Sequence, residues 1–524
     1  MALQRSIGVV GLTMIGVGGV IGSGWLFAPM LAAQHAGPAA VVSWVLAGGA
    51  VFLIALTFAE TCGRMPVAGG LGRIPYFTHG RLTAAAMGWT AWVAYAAQLA
   101  IEVTVMLRYL ADPLPWLAGG EGSDSLSLLG NCAAVGLLAL IALLNAAGVM
   151  VLIRINSSLT WFKVGLPLLV AVLLVADRFT AANFTAQGGF APSGWDGILS
   201  AISTGGVVFA FLGFRHVIDM AGEARRPEIT VPAALGLSVL ICLGLYLVLQ
   251  VAFIGALSSD DLAHGWQHLK FSHGLGPLGA LAVALGMVWL SYLLLAGAIV
   301  APFGAALVST GSNARLGLGL AHNGFFPSFL ARLSAQQVPL NALVLNFVVA
   351  SAMYLLLPFD ELVALIGAAL AFSLAIGPLG LLSLRRQQPV APPGFRLPLA
   401  GPISLAAFIL AMFIIYWAGW DTVWRLAVAL ASGGVLFAWM QHRSGWRGTD
   451  ARQALWLVPY FGGLLIISWL GGFGGGRGLI PLGWDMALLA VLASGCLVLG
   501  VNLRLDDETA ARHREESDAF DVEI

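Results

Sequence analysis

Fourteen apolar stretches divide this chain, and most of them reach the roughly 20 residues that a helix needs to cross the hydrocarbon of a bilayer. They fall near residues 7–33, 38–62, 83–111, 126–153, 159–176, 198–221, 231–257, 275–308, 340–357, 362–384, 402–419, 422–440, 454–471 and 484–503. Only 10% of the residues are charged, against roughly 25% in soluble domains. In lipid a backbone must satisfy its own polar groups, and a helix does so within one segment. The fold class this predicts is an all-α integral membrane protein of about 14 transmembrane helices.

Orientation follows from the positive charges. Nineteen of the 25 Lys and Arg fall on one side of this arrangement, among them Arg5, Arg64, Arg73, Arg81, Arg154, Arg225, Arg226, Arg315, Arg332, Arg385, Arg447 and Arg512. Arg108, Arg178, Lys270, Arg425 and Arg477 fall on the other, with acids such as Asp112, Glu121, Asp124, Asp260, Asp261, Asp360 and Glu361. By the positive-inside rule both termini are cytoplasmic, in a cell (inner or plasma) membrane. The first stretch has no small-residue cleavage site and reads as retained. A net charge of zero gives no reason to expect nucleic acid as a partner. Cys62, Cys132, Cys242 and Cys496 show no CxxC pairing and imply neither a disulfide framework nor a metal site. HExxH, GxSxG and P-loop patterns are absent, so neither catalytic residues nor a cofactor are expected. Residues 504–524 are polar and acidic and read as a solvated cytoplasmic tail.

Two stretches break the apolar pattern from within. Gly16-Val17-Gly18-Gly19-Val20-Ile21-Gly22-Ser23-Gly24 puts five glycines in nine residues at the middle of the first crossing. Each costs a helix about 1 kcal/mol against alanine. Spaced small residues often serve helix packing, but a contiguous run with a serine fits an opened turn better. Such a turn leaves the amides of Gly22, Ser23 and Gly24 unpaired at the start of a half-helix, where the dipole favours an anion. The second stretch, Ser203 to Arg215, again places glycines and hydroxyls inside an apolar helix. Stretches one and six occupy the same place if the first ten form two five-helix repeats, about 7–176 and 198–384. Interrupted helices at matching positions point to a secondary transporter's central site. There, amides take a carboxylate and freed carbonyls take an amine, so an α-amino acid is the expected ligand. The candidate substrate residues are Ile21, Gly22, Ser23 and Gly24 at the first break, with Phe209, Ala210, Phe211, Gly213 and Arg215 at the second.

These residues also carry a family likeness. Gly22-Ser23-Gly24-Trp25-Leu26-Phe27-Ala28-Pro29 resembles the first-helix signature of amino acid–polyamine–organocation permeases. Phe209-Ala210-Phe211-Leu212-Gly213-Phe214-Arg215, with Ala221-Gly222-Glu223-Ala224, is similar to their sixth helix and the loop after it. Pro66-Val67-Ala68-Gly69-Gly70 and Asn313-Ala314-Arg315 through Pro327 are similar to further connections. Within that superfamily, Gly213-Phe214-Arg215 through Glu223 and Phe395-Arg396-Leu397-Pro398 look most like the aspartate–proton symporter group. The resemblance implies a LeuT-like core of five plus five inverted helices over residues 1–384. Four accessory helices over 385–503 and the tail would complete the chain. Many relatives carry Glu where this chain has Arg215, which turns the reading away from neutral or cationic substrates.

The remaining chemistry lies in the charges within or at the edges of stretches, where ionisable groups are expensive and usually functional. Arg215 and Asp219 are four apart and could pair on one helix face, or Arg215 could take an acidic side chain through its two-pronged donor geometry. Glu60, within reach of Arg64, reads as gating or structural charge, and so do Asp219 and Glu223. Glu102 is a minor candidate for proton binding. Lys163 has no carboxylate nearby in sequence; it either snorkels near the start of its stretch or carries the coupling proton, with Ser309 and Thr310 as neighbours. The resemblance supports the second role, because proton-coupled relatives place a fifth-helix lysine where sodium sits in sodium-coupled ones. The sequence therefore reads as an amino acid–proton symporter for an acidic substrate. Its alternatives are a proton-independent exchanger of amino acids or amines and, without a constellation to support it, a membrane-embedded enzyme.

Overall fold

The computed structural model of the chain describes residues 5–119, 126–269, 271, 276–357, 359–388, 394–444 and 448–523. Glu121, Asp124, Lys270 and Arg447, used above to set orientation, lie outside the described residues. Among the described residues all regular structure is helical, apart from three isolated bridges.

The first stretch folds as two helices, α1 (Val9–Val20) and α2 (Gly24–Ala36), parted by Ile21, Gly22 and Ser23. At Gly37, with φ of +59°, the chain turns through a short 3-10 segment into α3 (Ala40–Arg64). The helical run Gly24–Arg64 has 41 residues, or about 60 Å of rise. That is about twice the hydrocarbon thickness, so the run holds the end of one crossing and the whole of the next.

A connector helix, α4 (Gly70–His79), leads into α5 (Arg81–Ala111), α6 (Leu128–Ala146) and α7 (Val149–Asp177). Because α7 begins at Val149 rather than Leu159, Lys163 sits in mid-helix, 1% exposed. That burial removes the snorkelling reading. The sixth stretch splits at Thr204-Gly205-Gly206 into α8 (Gly194–Ser203) and α9 (Val207–Phe211). A 3-10 turn, Leu212–Phe214, then leads to α10 (Arg215–Asp219). Gly206 has φ of +78°, a conformation that side chains resist. The axis bends there by 42°. Arg215 thus follows a second irregularity, nine residues after Gly206.

The chain continues through α11 (Pro227–Ala256), α12 (Gly276–Ala284) and α13 (Val288–His322). Arg315, expected in a connection, is therefore helical and buried. Next come α14 (Leu340–Leu356), α15 (Phe359–Leu374), α16 (Ile376–Gln387), α17 (Ala400–Trp417) and α18 (Trp420–Ser444). The last are α19 (Leu457–Leu470), α20 (Trp484–Asn502) and α21 (Asp507–Glu523). Eleven of these helical runs are long and apolar enough to cross a membrane, or twelve with the bent pair α8 and α9–α10. Fourteen stretches exceed that number because the 41-residue run counts once and α14, at 17 residues, falls short.

The acidic tail does not stay free in solvent, as its composition suggested. It forms α21, where His513 stacks on Tyr76 of α4 with ring centroids 4.5 Å apart. Just before it, the Leu505 amide donates to the Thr78 carbonyl (2.8 Å).

Candidate functional site

The two broken stretches cross each other at their glycines. A methyl group at Gly213 would fall on the carbonyl of Gly19 and the amide nitrogen of Val20, so only hydrogen fits between these backbones. Two carbonyls beside the crossing share one side-chain partner. The Tyr246 hydroxyl of α11 lies 3.1 Å from the Val20 oxygen and 3.3 Å from the Ala210 oxygen. Tyr246 is held in turn by the rings of Trp44 and Phe211, at centroid distances of 4.7 and 5.5 Å.

At the first break the amides are not all open. Gly22 donates to the Val20 carbonyl (3.0 Å). The Ser23 amide donates to Glu102 Oε2 (2.9 Å), a carboxylate reaching across from α5. Glu102 is 1% exposed, and a methyl at Gly22 would collide with its other oxygen. A negative group there suits the positive end of the α2 dipole. The facing end carries the opposite sign, since Lys163 Nζ donates to the Gly18 carbonyl at the close of α1 (2.6 Å). The break is therefore bracketed by a cation at the last carbonyls of one half-helix and an anion at the first amides of the next. Lys163 packs against Gly304 of α13. Ser309 and Thr310, expected beside it, bond instead to Gln98 (3.4 Å) and to the Ala306 carbonyl (2.8 Å).

Arg215 is 1% exposed and lies over the face of Tyr95, with Cζ 4.3 Å from the ring centroid. Its Nη1 donates to the Leu212 carbonyl (2.7 Å) and its Nη2 to Gln98 Oε1, while its Nε is buried without a hydrogen-bond partner. Asp219 accepts from the Tyr95 hydroxyl and, at 3.4 Å, from the Leu71 amide of α4. Arg215 and Asp219, four apart, are thus joined through Tyr95.

Glu60 and Glu223 stand apart from this centre. Glu60 accepts from Arg64 (2.6 Å), from Arg385 of α16 through two bonds of 2.9 and 2.6 Å, and from the Leu397 amide (2.7 Å). Glu223 pairs with Arg315 of α13, and its carbonyl accepts from the Ile7 amide (3.0 Å), tying the start of α1 to the chain beyond α10. Two open pockets are lined by none of the residues at this centre: one of about 180 Å³ is lined in part by Gly148, Glu223 and Gln336, the other, about 430 Å³, by His35, Asp196 and Gln267.

The candidates Ile21, Gly22, Ser23, Gly24, Ala210, Gly213, Lys163, Glu102 and Arg215 therefore gather around one crossing. Sequence reasoning missed Tyr95, Gln98 and Tyr246. Gln98 was legible, since it precedes Glu102 by one turn and shares its face in an otherwise apolar stretch.

Residues 7–438 match the protein family described as amino acid permease. The chain belongs to that family. Among curated relatives, the glutamate/serine transporter AimA of Bacillus subtilis (strain 168) is 34% identical over 500 residues, covering 94% of this chain and 92% of the relative. The aspartate-proton symporter of the same organism is also 34% identical, over 496 residues, with 93% and 94% covered. The branched-chain amino acid permease BcaP is 26% identical over 447 residues, covering 83% of this chain and 93% of the relative. The protein is a multi-pass membrane transporter of amino acids and not an enzyme. Its helices, broken at the first and sixth positions, follow the LeuT-like arrangement.

Proposed function

We propose that this permease carries an acidic amino acid together with a proton across a cell membrane. Fourteen crossings form a ten-helix core and four accessory helices, with both termini cytoplasmic. The observation that carries the reading is Arg215, a buried guanidinium at the start of α10 just past the interrupted part of the sixth stretch, with one donor nitrogen unpartnered. In this reading the substrate α-carboxylate takes the amides that open α2, and its ammonium takes carbonyls at the two breaks, between Ile21 and the Phe209–Phe211 turn. Arg215 takes the side-chain carboxylate. Lys163 and Glu102, at the two lips of the first break, hold and release the coupling proton, so that charge at the break changes with the transport cycle. The name of the aspartate-proton symporter relative supports both substrate and coupling at the level of a likeness.

The test is the ratio of aspartate to asparagine affinity in purified Arg215→Gln. A charge-assisted hydrogen bond is worth roughly 1.5–3 kcal/mol, about ten- to a hundredfold in affinity. Aspartate is expected to weaken by that margin while asparagine stays nearly unchanged. An unchanged ratio would show that Arg215 holds the helix and does not read the substrate.

A further inference from the structure

Two side-chain oxygens of α5 occupy the donors that the proposed substrate would use. Glu102 Oε2 accepts from the Ser23 amide at 2.9 Å. Gln98 Oε1 accepts from Arg215 Nη2 and, at 3.4 Å, from Ser309 Oγ. The two residues are four apart on one helix, so they share a face and are separated by about 6 Å of rise. Both are buried, at 1% and 5% exposure. Arg215 is the donor with capacity to spare, since its Nε has no hydrogen-bond partner although the side chain is fully enclosed. A buried, unsatisfied donor is costly and marks a place where an acceptor belongs.

We propose that α5 carries a surrogate of the substrate, with Glu102 in the seat of the α-carboxylate and Gln98 in the seat of the side-chain carboxylate. This rests on the reading of the site as one for acidic amino acids. Set on residues one helical turn apart, the carboxylate meets the backbone amide and the carboxamide oxygen meets the guanidinium, the two donors that the α- and side-chain carboxylates of an acidic amino acid would take. With no substrate bound, they keep the opened Ser23 amide and Nη2 of the guanidinium from standing unpaired. An acidic amino acid displaces both. A neutral amino acid displaces Glu102 alone and leaves Arg215 on Gln98, so Gln98 sets how strongly the site prefers a second carboxylate. Gln98 is then a specificity-determining residue and Glu102 a competitor common to all substrates.

The experiment measures equilibrium binding of aspartate and asparagine to the purified full-length protein, with monodispersity checked for each variant. Gln98→Ala frees Arg215, and aspartate should bind roughly three- to tenfold more tightly, the worth of one hydrogen bond, with asparagine little changed. Gln98→Glu is close in shape but seats a permanent carboxylate on Arg215. It should weaken aspartate roughly ten- to a hundredfold and asparagine far less. Glu102→Gln leaves a weaker competitor at Ser23 and should tighten both ligands. If Gln98→Ala weakens aspartate, or Gln98→Glu leaves the ratio as in the wild type, Gln98 is a structural brace and the proposal is overturned. If Glu102→Gln weakens both ligands, Glu102 supports the site and does not compete for it. A wild-type protein that fails to prefer aspartate overturns the acidic-substrate reading itself, whatever the variants do.

Discussion

Gly22 and Gly24 sit two residues apart in the same break and meet different surroundings. A methyl group on Gly22 would strike the Glu102 carboxylate, whereas one on Gly24 would lie 3.4 Å from the Ala210 methyl, an ordinary contact. Gly22→Ala should therefore lower uptake at least tenfold, because the methyl group occupies the space in which a carboxylate, from Glu102 or from substrate, meets the Ser23 amide, and such a charge-assisted bond is worth roughly 1.5–3 kcal/mol. Gly24→Ala should stay close to wild type, and initial uptake rates in matched vesicles distinguish the two. Lys163 allows an equally sharp substitution. If it releases its proton during the cycle, Lys163→Arg should bind substrate yet fail to concentrate it, since a guanidinium is not deprotonated in proteins. Concentrative uptake by Lys163→Arg would remove the lysine from the coupling. At this scale the sequence was most readable where a charge interrupted apolar residues, as at Glu102, Lys163 and Arg215. Tyr95 and Tyr246 stayed hidden because an aromatic in an apolar span looks like packing until its hydroxyl is seen to meet Asp219 or the carbonyls of Val20 and Ala210.

Among the elements, α4 links parts that the chain keeps far apart. At its start the Gly69 amide donates to the Asp219 carbonyl (2.9 Å), and at its end Tyr76 carries the stacked ring of His513. Neither α4 nor the docking of α21 was legible, since α4 has only 10 residues, α21 is polar along its length, and both are fixed by partners far away in the chain. The break in the sixth stretch was legible as a region but not as a position, because glycines at 205, 206 and 213 were all candidates. The structure uses the first two for the turn and the third for the crossing. Glu60 joins α3 to α16 and to the chain before α17. Glu60→Gln removes a fully enclosed carboxylate from Arg64 and Arg385, and breaking such a pair costs about 3–5 kcal/mol. Its thermal midpoint in detergent should fall, while the aspartate to asparagine ratio in the folded fraction stays as in the wild type. A changed ratio with unchanged stability would move Glu60 from structure to the site.

For the whole molecule, the helix inventory was readable because lipid permits so few structures, and the paired interruptions marked the two stretches that cross at their glycines. What the sequence could not supply was the wiring, in which α5, α7 and α11 each lend one side chain to the first break. With Glu102 and Lys163 at its two lips, that break is proposed to join substrate binding to proton movement. Uptake of labelled aspartate into proteoliposomes of the purified protein, with an inward proton gradient and no internal amino acid, tests this coupling most directly. The expected result is accumulation above the external concentration that collapses when a protonophore is added. Aspartate uptake that ignores the gradient and requires amino acid inside the vesicles would contradict it.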